Sequence, residues 1–194
     1  MALSFAIAAE GKTDQRVIEN ILVGFFRRIA PDIVVDWDHP AYQSAKPDKS
    51  DSWGNWLNVL EYLRRRSYED AFQFHEYLVV QIDTDCAAEP GFDVPSAIEK
   101  FLFAICVDSV ECWLLPLHCP EKAGDESNCL FKVNACLAKS RQEILRKNHV
   151  PSYANASAPY RREKTIRAEG PKQLSLARFL ELLEAIKPVP PVKS

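Results

Sequence analysis

Two aspartates, Asp83 and Asp85, stand one residue apart directly after an apolar run at residues 77–82. The run is short and rich in β-branched residues, which predicts a buried strand. Side chains two positions apart on a strand point the same way, so both carboxylates can share one small volume. A hard divalent cation such as Mg²⁺ is the natural partner of such a pair. A solvated Asp-x-Asp turn explains the same pattern, because Asp is also a common turn residue.

Further acids follow two other predicted strands. One apolar run, residues 3–9, ends at Glu10, and another, residues 101–107, is followed by Asp108 and Glu111. The carboxyl ends of parallel strands meet at one edge of a sheet, and ligands bind at that edge in open α/β folds. The acids expected there are therefore Glu10, Asp83, Asp85 and either Asp108 or Glu111.

The elements that carry these acids alternate between strand and helix. Residues 33–37 have the composition of a strand, whereas residues 14–29 and 53–68 have apolar side chains at helical spacing. We expect Thr13 to cap the first of these helices. This alternation predicts an α/β fold with a mainly parallel four-stranded sheet flanked by helices.

The pattern changes after about residue 117. Helical spacing returns at residues 128–148 and 174–186, whereas residues 150–171 are polar and are expected to be irregular. The predicted organisation is a core at residues 1–120, a helical and basic extension of the same domain at residues 121–187, and a Pro-rich tail at residues 188–194.

Composition limits the possible functions. The chain has 194 residues, of which 47% are hydrophobic, as expected for one globular domain. Its net charge of −3 provides no general attraction to nucleic acid, so any such contact must come from local patches or a bridging metal. No apolar run approaches the roughly 20 residues that a membrane span needs. Without a signal-peptide pattern, we expect a cytoplasmic protein.

The chain has six cysteines, some of them inside apolar runs. They lack the Cys-x-x-Cys spacing of zinc sites. A cytoplasmic chain of this length does not need disulfides. We therefore expect reduced thiols that pack as small hydrophobic groups. The six are Cys86, Cys106, Cys112, Cys119, Cys129 and Cys136.

Several basic residues are candidates for phosphate contact. Lys12 follows Glu10, and Arg161 and Lys164 belong to the polar segment at residues 150–171. Of these we favour Lys164 as the catalytic cation, because polar segments rich in Tyr, Arg and Lys suit phosphate contact. A solvated basic surface explains the same residues.

Two sequence segments resemble a known family. Glu10-Gly11-x-Thr13-Asp14 at the end of strand one, combined with Asp83-x-Asp85 at the end of strand three, resembles a TOPRIM domain. The segment ending in Glu111-x-Trp113-Leu114-Leu115 is similar to the small standalone TOPRIM-like proteins of bacteria, many of them linked to phage defence. The resemblance covers roughly residues 3–117 and extends to the overcoming-lysogenization-defect (OLD) nucleases.

The resemblance implies a TOPRIM-like, Rossmann-like fold and a site for Mg²⁺ or Mn²⁺ built from Glu10, Asp83 and Asp85. It further implies phosphodiester cleavage in DNA or RNA, with Glu111 as an additional acid and a basic residue such as Lys164 assisting. Such a nuclease would serve as an effector of anti-phage defence. The chain lacks the ATPase segment of the larger OLD proteins. An alternative is therefore a non-catalytic TOPRIM-like partner subunit of an ATPase-containing defence complex.

Overall fold

The computed structural model describes residues 2–39, 56–84 and 100–186. Within these ranges, four strands form one sheet in which every neighbouring pair is parallel, in the order β2-β1-β3-β4. The strands are β1 (Ser4–Ala8), β2 (Val34–His39), β3 (Tyr77–Asp83) and β4 (Phe101–Cys106). The predicted α/β class with a parallel, helix-flanked sheet is confirmed.

Helices cover both faces of this sheet. The α-helices of the described ranges are α1 (Lys12–Phe26), α2 (Trp56–Arg64), α3 (Tyr68–Ala71), α4 (Leu115–His118), α5 (Cys129–Lys139), α6 (Val150–Ser157), α7 (Glu163–Glu169) and α8 (Leu174–Glu184). Short 3₁₀ segments lie at Val110–Leu114, Pro120–Lys122, Ala158–Arg161 and Gly170–Lys172.

The alternation of side chains along β1 separates two hydrophobic clusters. Phe5 and Ile7 belong to the larger cluster, which contains α1 and most of the C-terminal helices. Ala6 and Ala8 point to the opposite face and join a smaller cluster with α2 and α3. The C-terminal helices therefore share one core with α1 and the sheet.

A glycine permits the close approach between α1 and the C-terminal segment. A Cβ atom at Gly24 would lie 1.8 Å from the carbonyl oxygen of Tyr160, which no side chain can accommodate. Nearby, Asn20 donates to Ser157 Oγ over 2.7 Å, and Arg161 donates to Asn20 Oδ1 over 2.9 Å. Glycine in the last turn of α1 is thus explained by contact rather than by helix propensity.

The expectation of irregular structure at residues 150–171 is wrong. This segment contains α6, the 3₁₀ turn Ala158–Arg161 and α7, with Tyr153, Tyr160 and Ile166 buried. Proline occupies the first turn of α6 and of that 3₁₀ turn, where its missing N–H costs nothing. The prolines therefore mark helix starts in a segment whose composition suggests a loop.

Several predicted helix boundaries also differ from the structure. The helix expected at residues 128–148 ends at Lys139, and Arg141 and Asn148 have left-handed φ angles of 56° and 60°. The segment after β4 begins as a 3₁₀ helix. Thr13 is not the cap of α1, because Gly11 occupies that position without a side-chain capping bond. The predicted tail at residues 188–194 and the aspartate Asp85 lie outside the described residues.

Four of the six cysteines form disulfides, so the expectation of free thiols is wrong for them. Cys112 bonds to Cys129 and Cys119 bonds to Cys136, with Cα–Cα distances of 4.9 and 5.9 Å. Each bond joins residues 17 positions apart, and the two bonds are seven positions apart on both sides. Seven residues are about two helical turns, so both bonds fall on the facing sides of two adjacent helical segments. Cys106 is free and buried, as expected, and Cys86 lies outside the described residues.

Candidate active site

A cleft of about 620 Å³ opens at the carboxyl edge of the sheet. The ends of β1 and β3, the segment after β4, the start of α5 and one side chain of α6 form its walls. Its lining includes acids from each of these strand ends, as the sequence predicted. The lining residues are Glu10, Gly11, Thr13, Asp14, Asp83, Asp108, Ser109, Glu111, Asn128, Cys129, Leu130, Phe131, Lys147, Asn148 and Tyr153.

A reciprocal set of hydrogen bonds joins the ends of β1 and β3. The backbone N–H of Asp83 donates to Glu10 Oε1 over 2.8 Å, and the backbone N–H of Glu10 donates to Gln81 Oε1 over 3.1 Å. Gln81 Nε2 then donates to Asp83 Oδ1 over 2.7 Å. Gln81 is fully buried, and it holds the backbone of Glu10 and the carboxylate of Asp83 at the cleft without facing solvent itself.

Asp14 and Glu111 add two further carboxyl groups to this region. Burial raises the pKa of the Asp14 carboxyl well above its usual value, and the neighbouring carboxylates of Glu111 and Glu10 raise this pKa further. A Cβ atom at Gly11 would lie 2.9 Å from Asp14 Oδ2, so glycine at this position leaves room for the carboxyl. The cleft thus concentrates negative charge where water is partly excluded.

Tyr153 of α6 orients Glu111. Its hydroxyl donates to Glu111 Oε1, and both residues are buried. Burial and the adjacent Glu111 carboxylate raise the pKa of Tyr153, so its hydroxyl keeps its proton and remains a donor at neutral pH. The segment predicted to be an irregular loop therefore supplies a helix-borne partner for a cleft acid.

Asp108 marks the turn after β4. It has a left-handed φ of 64°, and its backbone N–H donates to Thr84 Oγ1 over 3.3 Å. Its carboxylate Oδ2 accepts the backbone N–H of Cys129 over 3.5 Å. Asp108 thereby links the end of the sheet to the start of α5.

The free cysteine near the acids is not a nucleophile. Burial raises the pKa of the Cys106 thiol well above its usual value, and the Asp83 and Asp14 carboxylates raise it further. The thiolate is the reactive form of cysteine, and it is suppressed here. Cys106 also does not line the cleft, so it is not a candidate for the site.

Among the lining residues, Lys147 is the one cation, against five carboxyl groups. It is exposed at the rim, after α5. The favoured Lys164 is also exposed, but it lies on α7 and does not line the cleft. Its neighbour Glu163 lies 3.7 Å from Arg28, which follows the C-terminal end of α1. The cleft lies at the N-terminal end of α1, and this helix is about 22 Å long. The structure therefore does not bring Lys164 to the acids.

Neither of the other two basic candidates lines the cleft. Arg161 contacts Asn20 and lies 3.6 Å from Glu19. Lys12 begins α1 but is not among the cleft-lining residues.

The donor chemistry of the cleft fits a hard divalent cation. Glu10 and Asp83, two of the three expected ligands, lie at adjoining strand ends, and the third, Asp85, lies outside the described residues. Carboxylate oxygens are the ligands that Mg²⁺ prefers. A cation would also relieve the like-charge repulsion that, after burial, raises the pKa of Asp14.

The compact three-ligand groups of the described residues do not include Glu10, Asp14, Asp83 or Glu111. In the described ranges, two groups of His, Cys, Asp or Glu have all their ligand atoms within 4.8 Å of one another. One joins Asp108 to the Cys112–Cys129 disulfide, and the other joins Glu121 to the Cys119–Cys136 disulfide. Metals bind thiolates, and a disulfide offers none.

Sequence reasoning missed four residues of this site. Gln81 could have been identified from the sequence, because it is a polar residue inside a strand predicted to be buried. A buried polar side chain needs a hydrogen-bond partner, and Asp83 is only two positions away. Asp14 belongs to the Glu10-Gly11-x-Thr13-Asp14 segment but was not assigned to the site. Tyr153 and Lys147 carry no signal in the sequence, since only the tertiary fold brings them to the cleft.

Comparison of the chain with protein-family models, with curated proteins and with solved structures found no match. In the part of the chain that the structure describes, no helix is both long and apolar enough to cross a membrane.

Proposed function

We propose that this chain is a TOPRIM-like, Mg²⁺-dependent nuclease that cleaves phosphodiester bonds in DNA or RNA as an effector of anti-phage defence. One observation carries the proposal: the hydrogen bonds through Gln81 hold Glu10 and Asp83 side by side at the edge where α/β folds bind ligands. The resemblance of the two acidic segments to TOPRIM sequences gives this arrangement its chemical interpretation.

Glu10 and Asp83, with Asp85, would hold the cation. Bound Mg²⁺ would polarise a phosphoryl oxygen and favour formation of the attacking hydroxide. Gln81 keeps the Asp83 carboxylate and the Glu10 backbone in position, and Tyr153 keeps Glu111 directed into the cleft. Lys147 supplies positive charge at the rim for a substrate phosphate.

The cleft explains why such an activity would depend on a divalent cation for binding as well as for chemistry. Five carboxyl groups and one lysine repel a polyanion. A cation held by Glu10 and Asp83 would neutralise these two carboxylates and so weaken the repulsion at the point of contact. Nucleic acid is therefore expected to bind weakly when the divalent cation is removed.

The test compares Glu10→Gln and Asp83→Asn with the parent protein in Mg²⁺- or Mn²⁺-dependent cleavage of DNA and RNA. Both variants are expected to lose cleavage, by about 100-fold or more, while keeping the fold. Asp32→Asn is the matched control, because Asp32 is exposed in the turn before β2, at the opposite edge of the sheet. Undiminished cleavage by either cleft variant would refute the proposal.

A second candidate is the non-catalytic partner subunit of an ATPase-containing complex. The observation that favours it is the lack of a compact three-carboxylate group among the cleft acids of the described residues. Calorimetry with Mg²⁺ and Mn²⁺ separates the two candidates. Absence of cation binding by the parent protein favours the partner subunit, whereas binding that Glu10→Gln abolishes favours the nuclease.

A further inference from the structure

Phe131 is an exposed aromatic side chain at the entrance of the acidic cleft. It lies in the first turn of α5, lines the cleft and is 77% exposed. Glu111, by contrast, is only 9% exposed and lies deeper in the same cleft. A large apolar ring left in solvent beside a polar site has hydrophobic area available for a ligand.

The position of Phe131 is fixed relative to the acids. Cys129, two residues earlier, is bonded to Cys112, which directly follows Glu111 in the chain. The second disulfide, Cys119–Cys136, fixes α5 a further two turns along. Because the backbone that carries the ring is held in this way, stacking of a ligand on the ring does not have to order that backbone.

The chemistry around the ring indicates what stacks there. Lys147 and Asn148 line the same cleft as Phe131 and are exposed, so Lys147 can bind a phosphate and Asn148 can form a hydrogen bond with a base edge. Nucleotides combine a flat ring with a phosphate, and an aromatic side chain with a nearby cation is the usual platform for an unpaired base. Bases inside a duplex have both faces covered by their neighbours, so they cannot use such a platform without being extruded.

We propose that Phe131 is a base-stacking platform that selects single-stranded nucleic acid, with an unpaired base on the ring and its phosphate directed to the cleft. The inference rests on the proposed nuclease function, because that function supplies the reason for a nucleotide to enter. A cleft of about 620 Å³ falls within the size range of pockets that hold small ligands, and so suits one or two nucleotides rather than a duplex.

The test measures binding of a short fluorescent single strand, as DNA and as RNA, and of the corresponding blunt duplex, by anisotropy. Ca²⁺ replaces Mg²⁺ because it also prefers oxygen ligands, and a gel confirms that the strand stays intact. Phe131→Ala is expected to weaken single-strand binding roughly 5- to 150-fold, which is the range for loss of one stacked base. Phe131→Trp is expected to keep the affinity, and duplex binding is expected to be weaker and insensitive to both changes.

Phe74→Ala is the matched control. Phe74 is 78% exposed but precedes β3, at the opposite edge of the sheet from the cleft, so its truncation should leave binding unchanged. Parental single-strand affinity in Phe131→Ala would overturn the inference, as would an equal loss for the duplex or no binding by the parent protein. Unchanged cleavage of single strands by Phe131→Ala would refute base stacking on Phe131 without contradicting the proposed nuclease function. Single-strand binding that depends on Phe131, without any cleavage, would refute the proposed nuclease function but support base stacking on Phe131.

Discussion

The two disulfides make a large predicted contribution to stability. Each closes a segment of 17 residues, and the chain-entropy relation for a loop of this length gives about 3 kcal/mol. Once one bond has formed, the loop that the second bond closes runs through the first bond and contains about 14 residues. The entropy of closing this loop is close to that for 17 residues, so the second bond contributes nearly as much as the first. Reduction of both is therefore expected to lower the free energy of unfolding by about 6 kcal/mol.

That loss is comparable to the whole stability of many domains, which is about 5–15 kcal/mol. For a chain of this size it corresponds to a fall in Tm of roughly 12–24 °C. Removing one bond through Cys119→Ala with Cys136→Ala is expected to produce about half of the fall. Cys106→Ala is the control for cysteine substitution, because the buried Cys106 is not bonded to another cysteine.

The assay combines thiol counting with urea unfolding. In denaturant, the reduced chain is expected to titrate four more thiols than the unreduced chain, one for each cysteine in the two bonds. Unfolding curves of the oxidised and reduced protein then give the difference in free energy. Equal thiol counts would disprove the two bonds, and an unchanged urea midpoint despite four released thiols would refute the entropy calculation.

Two further predictions concern the acids of the cleft. The pKa of Asp14 is raised in the folded state, so the folded protein binds its proton more tightly than the unfolded chain does, and stability falls as pH rises from the unfolded pKa through the folded one. Asp14→Asn should flatten this fall and raise the urea midpoint at neutral pH, and an unchanged pH slope would contradict the assignment. Gln81→Met keeps the length of the side chain but removes its bonds to Glu10 and Asp83, so it should lower the free energy of unfolding by about 1–3 kcal/mol and weaken Mn²⁺ binding. Wild-type Mn²⁺ affinity in calorimetry would show that Gln81 does not position the acids.

Local sequence patterns predict the sheet and its acidic edge well, because most of the strands are short, continuous apolar runs that can be recognised without knowledge of the fold. Residues 77–82 and 101–107 differ from β3 and β4 by one residue each. The placement of Glu10 and Asp83 at one edge follows from parallel pairing alone, without knowledge of any side-chain contact. The partners of these acids do not follow, because they come from residues distant in the chain.

The spacing of the cysteines in the sequence indicates the two disulfides, but the length and general composition of the chain do not. Two pairs at the same offset of 17, seven positions apart on each side, indicate facing helical surfaces. Chain length and the absence of Cys-x-x-Cys spacing gave the opposite prediction, because neither considers the geometry of helix pairs. The prolines of residues 150–171 misled for a related reason: they begin helices here, and in composition alone they resemble a loop.

Stability alone does not explain the gathering of acids at the cleft. Burial raises the pKa of Asp14, as do the neighbouring Glu111 and Glu10 carboxylates, and a buried ionisable group whose neighbours have the same charge lowers the stability of a fold. The surrounding structure nevertheless retains these groups, with Gln81, Tyr153 and a disulfide-bonded wall holding them in place. Such arrangements are typical of functional sites, where a ligand removes the unfavourable charge on binding. A cation that binds between Glu10 and Asp83 should therefore raise Tm, and the rise should be lost in Asp83→Asn but kept in Asp32→Asn.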